Sequence, residues 1–333
     1  MPIISARNLG KDFIRPKRHT GTLGALRTLF SRESVTTHAV GDVSLSINEG
    51  EIVGYLGPNG AGKSTTIKML SGILVPTRGT VEVRGVVPWE QRTQNALNIG
   101  VVFGQRSQLW WDLPLDESLN LIGKMYRMDA EKYQQNRDML IELLEMESFL
   151  HTPARQLSLG QRMRGDLAAA VLYEPPVLFL DEPTVGLDVV AKERIRSFIE
   201  QINRERKTTV LLTTHDLSDV ERLCNRIVII DHGNVLFDGP TQDLKRRYAP
   251  HRMVDVVVDA PESISKLGQL PDHITIASHH GIKATFQVEP DSESLPETIA
   301  WLAARLPIID LGAREPALEG IMREIYETRK VMV

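Results

Sequence analysis

Residues 57–64 read Gly-Pro-Asn-Gly-Ala-Gly-Lys-Ser and lie between a stretch of strand character, EIVGYL, and one of helix character, TTIKML. No other feature narrows the possible folds as far, because G-x-x-x-x-G-K-[ST] at a strand-to-helix junction builds a phosphate cradle. Glycines let the backbone curl until successive N–H groups point inward, and the following helix adds its positive end. Gly57, Pro58, Asn59, Gly60, Ala61, Gly62, Lys63, Ser64 and Thr65 are therefore the expected nucleotide contacts. Lys63 is expected to reach the β- and γ-phosphates, and Ser64 to offer its hydroxyl to Mg²⁺.

The surrounding pattern fits a layered α/β domain. Apolar runs of strand length recur at 51–56, 99–103, 177–180, 209–212 and 226–230, with helical stretches between them. Several are apolar at nearly every position, as parallel strands covered on both faces require. The run 177–180 ends in Asp181 and Glu182. Ligands of open α/β sheets sit beyond the carboxyl ends of strands, so both acids are expected in the crevice that holds the phosphates. Asp181 suits the Mg²⁺ shell, and Glu182 suits polarisation of the attacking water.

Between residues 106 and 161 the strand signal gives way to Leu, Met, Glu and Lys, which reads as a helical insertion. A helix is expected over 131–150, with Leu140, Leu143, Leu144 and Phe149 at helical spacing. After Pro240 the pattern restarts: a strand at 253–258, a turn at His279-His280-Gly281, and a helix carrying Leu295, Ile299, Leu302 and Leu306. The expected division is an ATPase domain over 1–240 and a small α+β domain over 241–333. Residues 15–38 form a long basic insertion, with Arg15, Lys17, Arg18, Arg27 and Arg32 against Glu33. Leu23, Leu26, Leu29 and Phe30 either line an amphipathic docking helix there or belong to a solvated hairpin extension.

Composition excludes several classes. A net charge of −4 over 333 residues gives no basic excess for nucleic acid, which is not an expected partner. The single cysteine, Cys224, leaves no internal disulfide framework and reads as a buried apolar residue. No window approaches the ~18–20 consecutive apolar residues of a spanning helix, so any membrane role is expected to run through partner proteins.

The class of nucleotide enzyme comes from the residues between and after these elements. Leu157-Ser158-Leu159-Gly160-Gln161 resembles the LSGGQ signature of ABC ATPases. Gln105 after a strand resembles the Q-loop, Gly186-Leu187-Asp188 the D-loop, and His215 the switch histidine. The set spans roughly residues 3 to 240 in the family's order. This resemblance implies a head-to-tail homodimer in which Ser158, Gly160, Gln161 and Asp188 of one copy complete the ATP site of the other. It further implies that Gln105 senses Mg²⁺ and the attacking water, that His215 contacts the γ-phosphate, and that Phe13 stacks on adenine. Ser158 is also well placed to cap the helix that follows. Leu159 departs from the signature by replacing its first glycine, which restricts the backbone there.

The stretches GPNGAGKSTTIKMLSGILVPTRG, LWWDLP and LSLGQRMR, with the basic insertion and the terminal EPALEGIMREIYE, are similar to ATPases of ABC-2-type exporters, particularly a viologen-exporter-like group. That similarity implies separate ABC-2-type permease subunits and a peripheral place at the cytoplasmic face of the inner membrane. Trp110 and Trp111 suit anchoring of a permease helix, or burial within the helical insertion. Two other readings compete: a soluble ABC-type ATPase in a non-transport role, and a regulatory module that binds ATP with little turnover.

Overall fold

The computed structural model describes residues 2–16, 34–104, 106–248, 251–265, 267–289 and 294–330, in two compact units that divide between Pro240 and Thr241. In the first unit, β1 (Ile4–Pro16), β2 (Ser34–Ile47), β3 (Ile52–Leu56), β4 (Arg78–Val83) and β5 (Ile99–Phe103) precede the helical region. After it come β6 (Val177–Asp181), β7 (Thr209–Thr213), β8 (Arg226–Asp231) and β9 (Asn234–Pro240). Among the described residues these strands form one sheet in the order β4-β1-β2-β9-β8-β3-β7-β6-β5.

Two pairing regimes divide this sheet. β8, β3, β7, β6 and β5 pair in parallel, whereas β1 pairs antiparallel with both β2 and β4. All five positions of β7 and the first four of β6 are buried, as a parallel sheet covered on both faces demands. The end of β2 instead alternates buried and exposed residues, the pattern of a half-solvated antiparallel strand. The helix Lys63–Leu70 buries Ile67, Met69 and Leu70 in the same core as Tyr55, Phe179 and Leu211. Apolar burial on this scale fixes the helix, and with it the loop before it, against the sheet.

The helical region holds Leu115–Met125, Ala130–Leu143 and Leu159–Val171. The second stops short of the single helix expected over 131–150. Glu145 takes a left-handed backbone, φ 48, and the Met146 N–H turns back to the Ile141 carbonyl at 2.9 Å, closing the helix. Phe149 then lies in a separate 3₁₀ turn, Glu147–Phe149, yet stays buried.

The second unit is a sheet in the order β11-β12-β10-β13, all antiparallel, built from β10 (Arg252–Val258), β11 (Ile274–His280), β12 (Lys283–Val288) and β13 (Ile308–Arg314). Gly281, at φ 60, turns β11 into β12, and a ring nitrogen of His279 sits 3.0 Å from its carbonyl oxygen. The helix Ser294–Ala303 ends before Leu306, which is nevertheless buried with Leu302. Leu318, Ile321 and Ile325 form the buried stripe of the last helix, Leu318–Lys330.

Phe179 sits fully buried in the central strand layer, so Phe179→Ala should cost about 3–5 kcal/mol by removing buried contacts and leaving a cavity. Calorimetric melting of the first unit checks this: a large drop in its Tm is expected, and an unchanged Tm would contradict the packing described.

Candidate active site

Close approach of the backbone shapes the loop after β3. A Cβ on Gly57 would lie 2.4 Å from the Ile230 carbonyl oxygen, and one on Gly62, at φ 104, would lie 2.6 Å from that of Ala39. Only glycine fits at either position. Gly60, at φ 85, faces open space. At the start of the helix, the N–H groups of Lys63, Ser64 and Thr65 find no acceptor among the described residues, and no side chain caps them. Such converging, unpaired donors at a helix N-terminus fit a polyanion such as a triphosphate.

Lys63 is buried and folds over its own loop, donating from Nζ to the carbonyls of Gly57 at 2.6 Å and Pro58 at 3.1 Å. Burial lowers the pKa of its ammonium group, and the nearby carboxylates of Glu182 and Asp181 oppose that shift. Those two acids arrive at the end of β6. Thr213 Oγ1, at the end of β7, donates to Asp181 Oδ1 at 2.6 Å. Glu182 adopts a left-handed backbone, φ 57, held by its N–H donating to the Thr213 carbonyl at 2.9 Å. His215 follows β7, and its Nδ1 lies 3.4 Å from Glu182 Oε2. β3, β7 and β6 are neighbours in the sheet, so Lys63, Asp181, Glu182 and His215 gather at one edge.

Ser158, Gly160, Gln161 and Asp188 gather separately. Ser158 caps the helix Leu159–Val171 with a reciprocal pair of bonds: Gln161 N–H to Ser158 Oγ at 3.2 Å, and Ser158 N–H to Gln161 Oε1 at 2.9 Å. Asp188 caps the helix Val189–Arg206 through the Ala191 N–H at 2.8 Å. The two helix starts border an open cleft of about 410 Å³ whose lining includes no cradle residue. Leu159 is 44% exposed, and a Cβ on Gly186 would lie 3.0 Å from its Cδ2.

Gln105 lies outside the described residues, as do Leu23, Leu26, Leu29 and Phe30 of the basic insertion. Phe13 is half-buried on β1 opposite Thr37 of β2, two residues before Ala39, which abuts Gly62. The Lys11 ammonium lies 5.4 Å from the Phe13 ring centroid. Trp110 and Trp111 are 37% and 55% exposed, so burial within the helical insertion is ruled out. The Arg162 guanidinium stacks over Trp111 at 4.9 Å. Cys224 is buried, and burial pushes its thiol pKa far up.

Among the described residues two buried acids escape every motif, Asp166 and Asp219. An acid amid the apolar positions of a helix was their only sequence signal. Asp166 projects from the helix Leu159–Val171 onto the stretch after Gln105. It accepts from Ser107 Oγ at 2.9 Å and the Gln108 N–H at 2.8 Å, while Gln108 Nε2 donates to its carbonyl at 2.7 Å. Burial raises its pKa to about 6, against the lowering effect of those hydrogen bonds. A carboxyl whose pKa is raised on folding favours the native state when protonated. Its contribution is full below about pH 4 and is lost as pH rises to about 6, a span on the order of 3 kcal/mol. Asp166→Asn should therefore gain stability relative to the parent chain between pH 4 and 6 and level off above. A pH series of denaturant titrations checks it, and a difference that does not change with pH would contradict it.

Comparison with known proteins bears on this geometry. Residues 40–185 match the family model described as ABC transporter, a span that includes the cradle, Asp181 and Glu182. The chain is 33% identical over 215 residues to the ABC transporter ATP-binding protein NatA of Bacillus subtilis, covering 65% of this chain and 87% of that protein. It is 32% identical over 289 residues to the daunorubicin resistance ATP-binding protein DrrA3 of Streptomyces coeruleorubidus, covering 87% of this chain and 84% of that one. A solved dimeric ATP-binding cassette in a post-hydrolysis state, bound to ADP and Pi, superposes with a TM-score of 0.60 at 28% identity, over 71% of this chain and 98% of its own. Cradle, paired acids and strand-end histidine thus stand on the architecture of those proteins, and the chain belongs to the ABC transporter family as one of its ATP-binding, ATP-hydrolysing subunits.

Proposed function

We propose that this chain works as a homodimer that drives export through separate ABC-2-type permease subunits, from a peripheral position at the cytoplasmic face of the inner membrane. One observation carries the hydrolytic part of this reading: Lys63, Asp181, Glu182 and His215 meet at the carboxyl ends of three adjacent strands, with His215 and Glu182 3.4 Å apart. In that crevice the glycine loop and the first-turn amides hold the triphosphate, and Lys63 turns from its loop carbonyls to the β- and γ-phosphates. Glu182 orients and polarises the attacking water, and His215 contacts the γ-phosphate.

The Ser64 hydroxyl and Asp181 carboxylate, with Gln105, are hard oxygen donors that suit Mg²⁺. The described residues hold no group of three or more His, Cys, Asp or Glu that could hold a metal ion. Mg²⁺ bound there neutralises charge on the phosphates.

The dimer is supported by the separation of the cradle from the cleft at Ser158, Gly160, Gln161 and Asp188, which leaves one copy with half of each site. The matched cassette solved with ADP and Pi is itself dimeric. Among the described residues no helix is long and apolar enough to cross a membrane, in keeping with transport through partner polypeptides. Exposed Trp110 and Trp111 offer aromatic anchors for a permease helix. Phe13, on β1 across from Thr37 of β2, is the aromatic we assign to stacking on adenine.

Glu182→Gln should bind ATP, lower hydrolysis about 100-fold or more and run as a dimer when ATP is added. Lys63→Ala should lose most nucleotide affinity. An ATP-binding titration reads affinity, phosphate release reads turnover and gel filtration reads the dimer. Normal turnover by Glu182→Gln would overturn its assignment, and ATP binding without turnover by the parent chain would favour the regulatory reading. Vesicles reconstituted with the permeases report direction: ATP-driven accumulation on the side away from the ATPase supports export.

A further inference from the structure

Asp219, on the helix Leu217–Leu223, is fully buried. Its Oδ2 accepts from Thr184 Oγ1 at 2.5 Å and from Thr214 Oγ1 at 3.2 Å. Its Oδ1 accepts from Arg196 Nε at 2.6 Å, a group supplied by the helix Val189–Arg206. Thr184 lies two residues after Glu182, and Thr214 lies one residue before His215. One carboxylate therefore clamps both strand-end loops that carry the hydrolytic pair.

We propose that Asp219 is a positioning residue for hydrolysis, which fixes the separation of Glu182 and His215 by holding the Thr184 and Thr214 hydroxyls. The inference rests on the reading of Glu182 and His215 given above. Three features need such a clamp. Glu182 holds a left-handed backbone that a non-glycine residue keeps only where its surroundings enforce it. The His215 side chain is 64% exposed, so packing does not fix it and its backbone must. Around it, the Thr214 hydroxyl both donates to Asp219 and accepts from the Asp216 N–H at 3.0 Å, bracketing His215 from both sides.

A carboxylate is the group for this task. It offers two oxygens that only accept, whereas an amide would turn an NH₂ toward either a hydroxyl or the Arg196 guanidinium. Burying a charge for packing alone is costly, and apolar residues of the same volume fill such a space as stably or more so. Arg196 neutralises the charge, and the remaining acceptor capacity is spent on the two loops.

The test uses the full-length chain with Mg-ATP. Thr184→Val and Thr214→Val keep the side-chain shape and remove the hydroxyl; Thr184→Ser and Thr214→Ser keep the hydroxyl. Each valine variant should lower kcat about tenfold with ATP affinity within about twofold of the parent, and each serine variant should stay near the parent. The double valine variant should lose less than the product of the single effects, since both hydroxyls serve one clamp. Asp219→Asn should resemble the double variant where it folds, and the threonine variants carry the test where it does not. Valine variants that turn over at the parental rate per folded molecule, or serine variants that lose as much as valine, would overturn the inference. Loss of turnover matched by an equal loss of ATP affinity would overturn it as well. Normal hydrolysis by Glu182→Gln instead removes the base assignment itself, whatever the threonine variants do.

Discussion

The in-register parallel pairing of β3, β7 and β6 underlies everything else in the first unit. Gly54 pairs with Leu212, Leu180 with Leu212, and Asp181 with Thr213. The three strands therefore end level, and the loops that leave them emerge side by side. A slip of one residue in β6 would turn Phe179 to the opposite face of the sheet and carry Asp181 away from Thr213, so core packing and catalytic geometry are specified by one register. Every position of β7 and the first four of β6 are buried, as parallel strands covered on both faces require.

Around that frame the chain accepts local conflicts that a purely structural domain would avoid. Glu182 takes a left-handed backbone, Lys63 is buried against carbonyl oxygens with two carboxylates nearby, and Asp166 and Asp219 are acids in helix faces that otherwise read as core. Each conflict sits within a few residues of a loop that faces the crevice or of the signature helix. Protein interiors tolerate such groups where every partner is supplied, and Arg196, Thr184 and Thr214 for Asp219, or Ser107 and Gln108 for Asp166, supply them.

Much of this was legible in the sequence, for identifiable reasons. The strands at 99–103 and 177–180, the glycine loop, the restart after Pro240 and the Ser158 cap all rest on short-range pattern, where each residue's neighbours in the chain are also its physical partners. The long helix expected over 131–150 failed because periodicity cannot see the left-handed turn at Glu145 that breaks it. The roles of Asp166 and Asp219 were hidden because each has a partner far off in the chain: Ser107 is 59 residues from Asp166, and Thr184 is 35 from Asp219. Sequence pattern carries no record of a buried acid's donors until the fold has brought them together. The exposure of Trp110 and Trp111 belonged to the same kind, since it depends on how the helical region packs rather than on the aromatic pair itself.

The central claim is that one strand-end crevice holds and cleaves the triphosphate. A crystal structure of the full chain carrying Glu182→Gln, grown with Mg-ATP, tests it most directly. The account predicts the triphosphate against the amides that follow Gly62, with the γ-phosphate between Lys63 and His215 and with Ser158 of a second copy across from it. Nucleotide density elsewhere, or a γ-phosphate beyond the reach of Lys63, would contradict it.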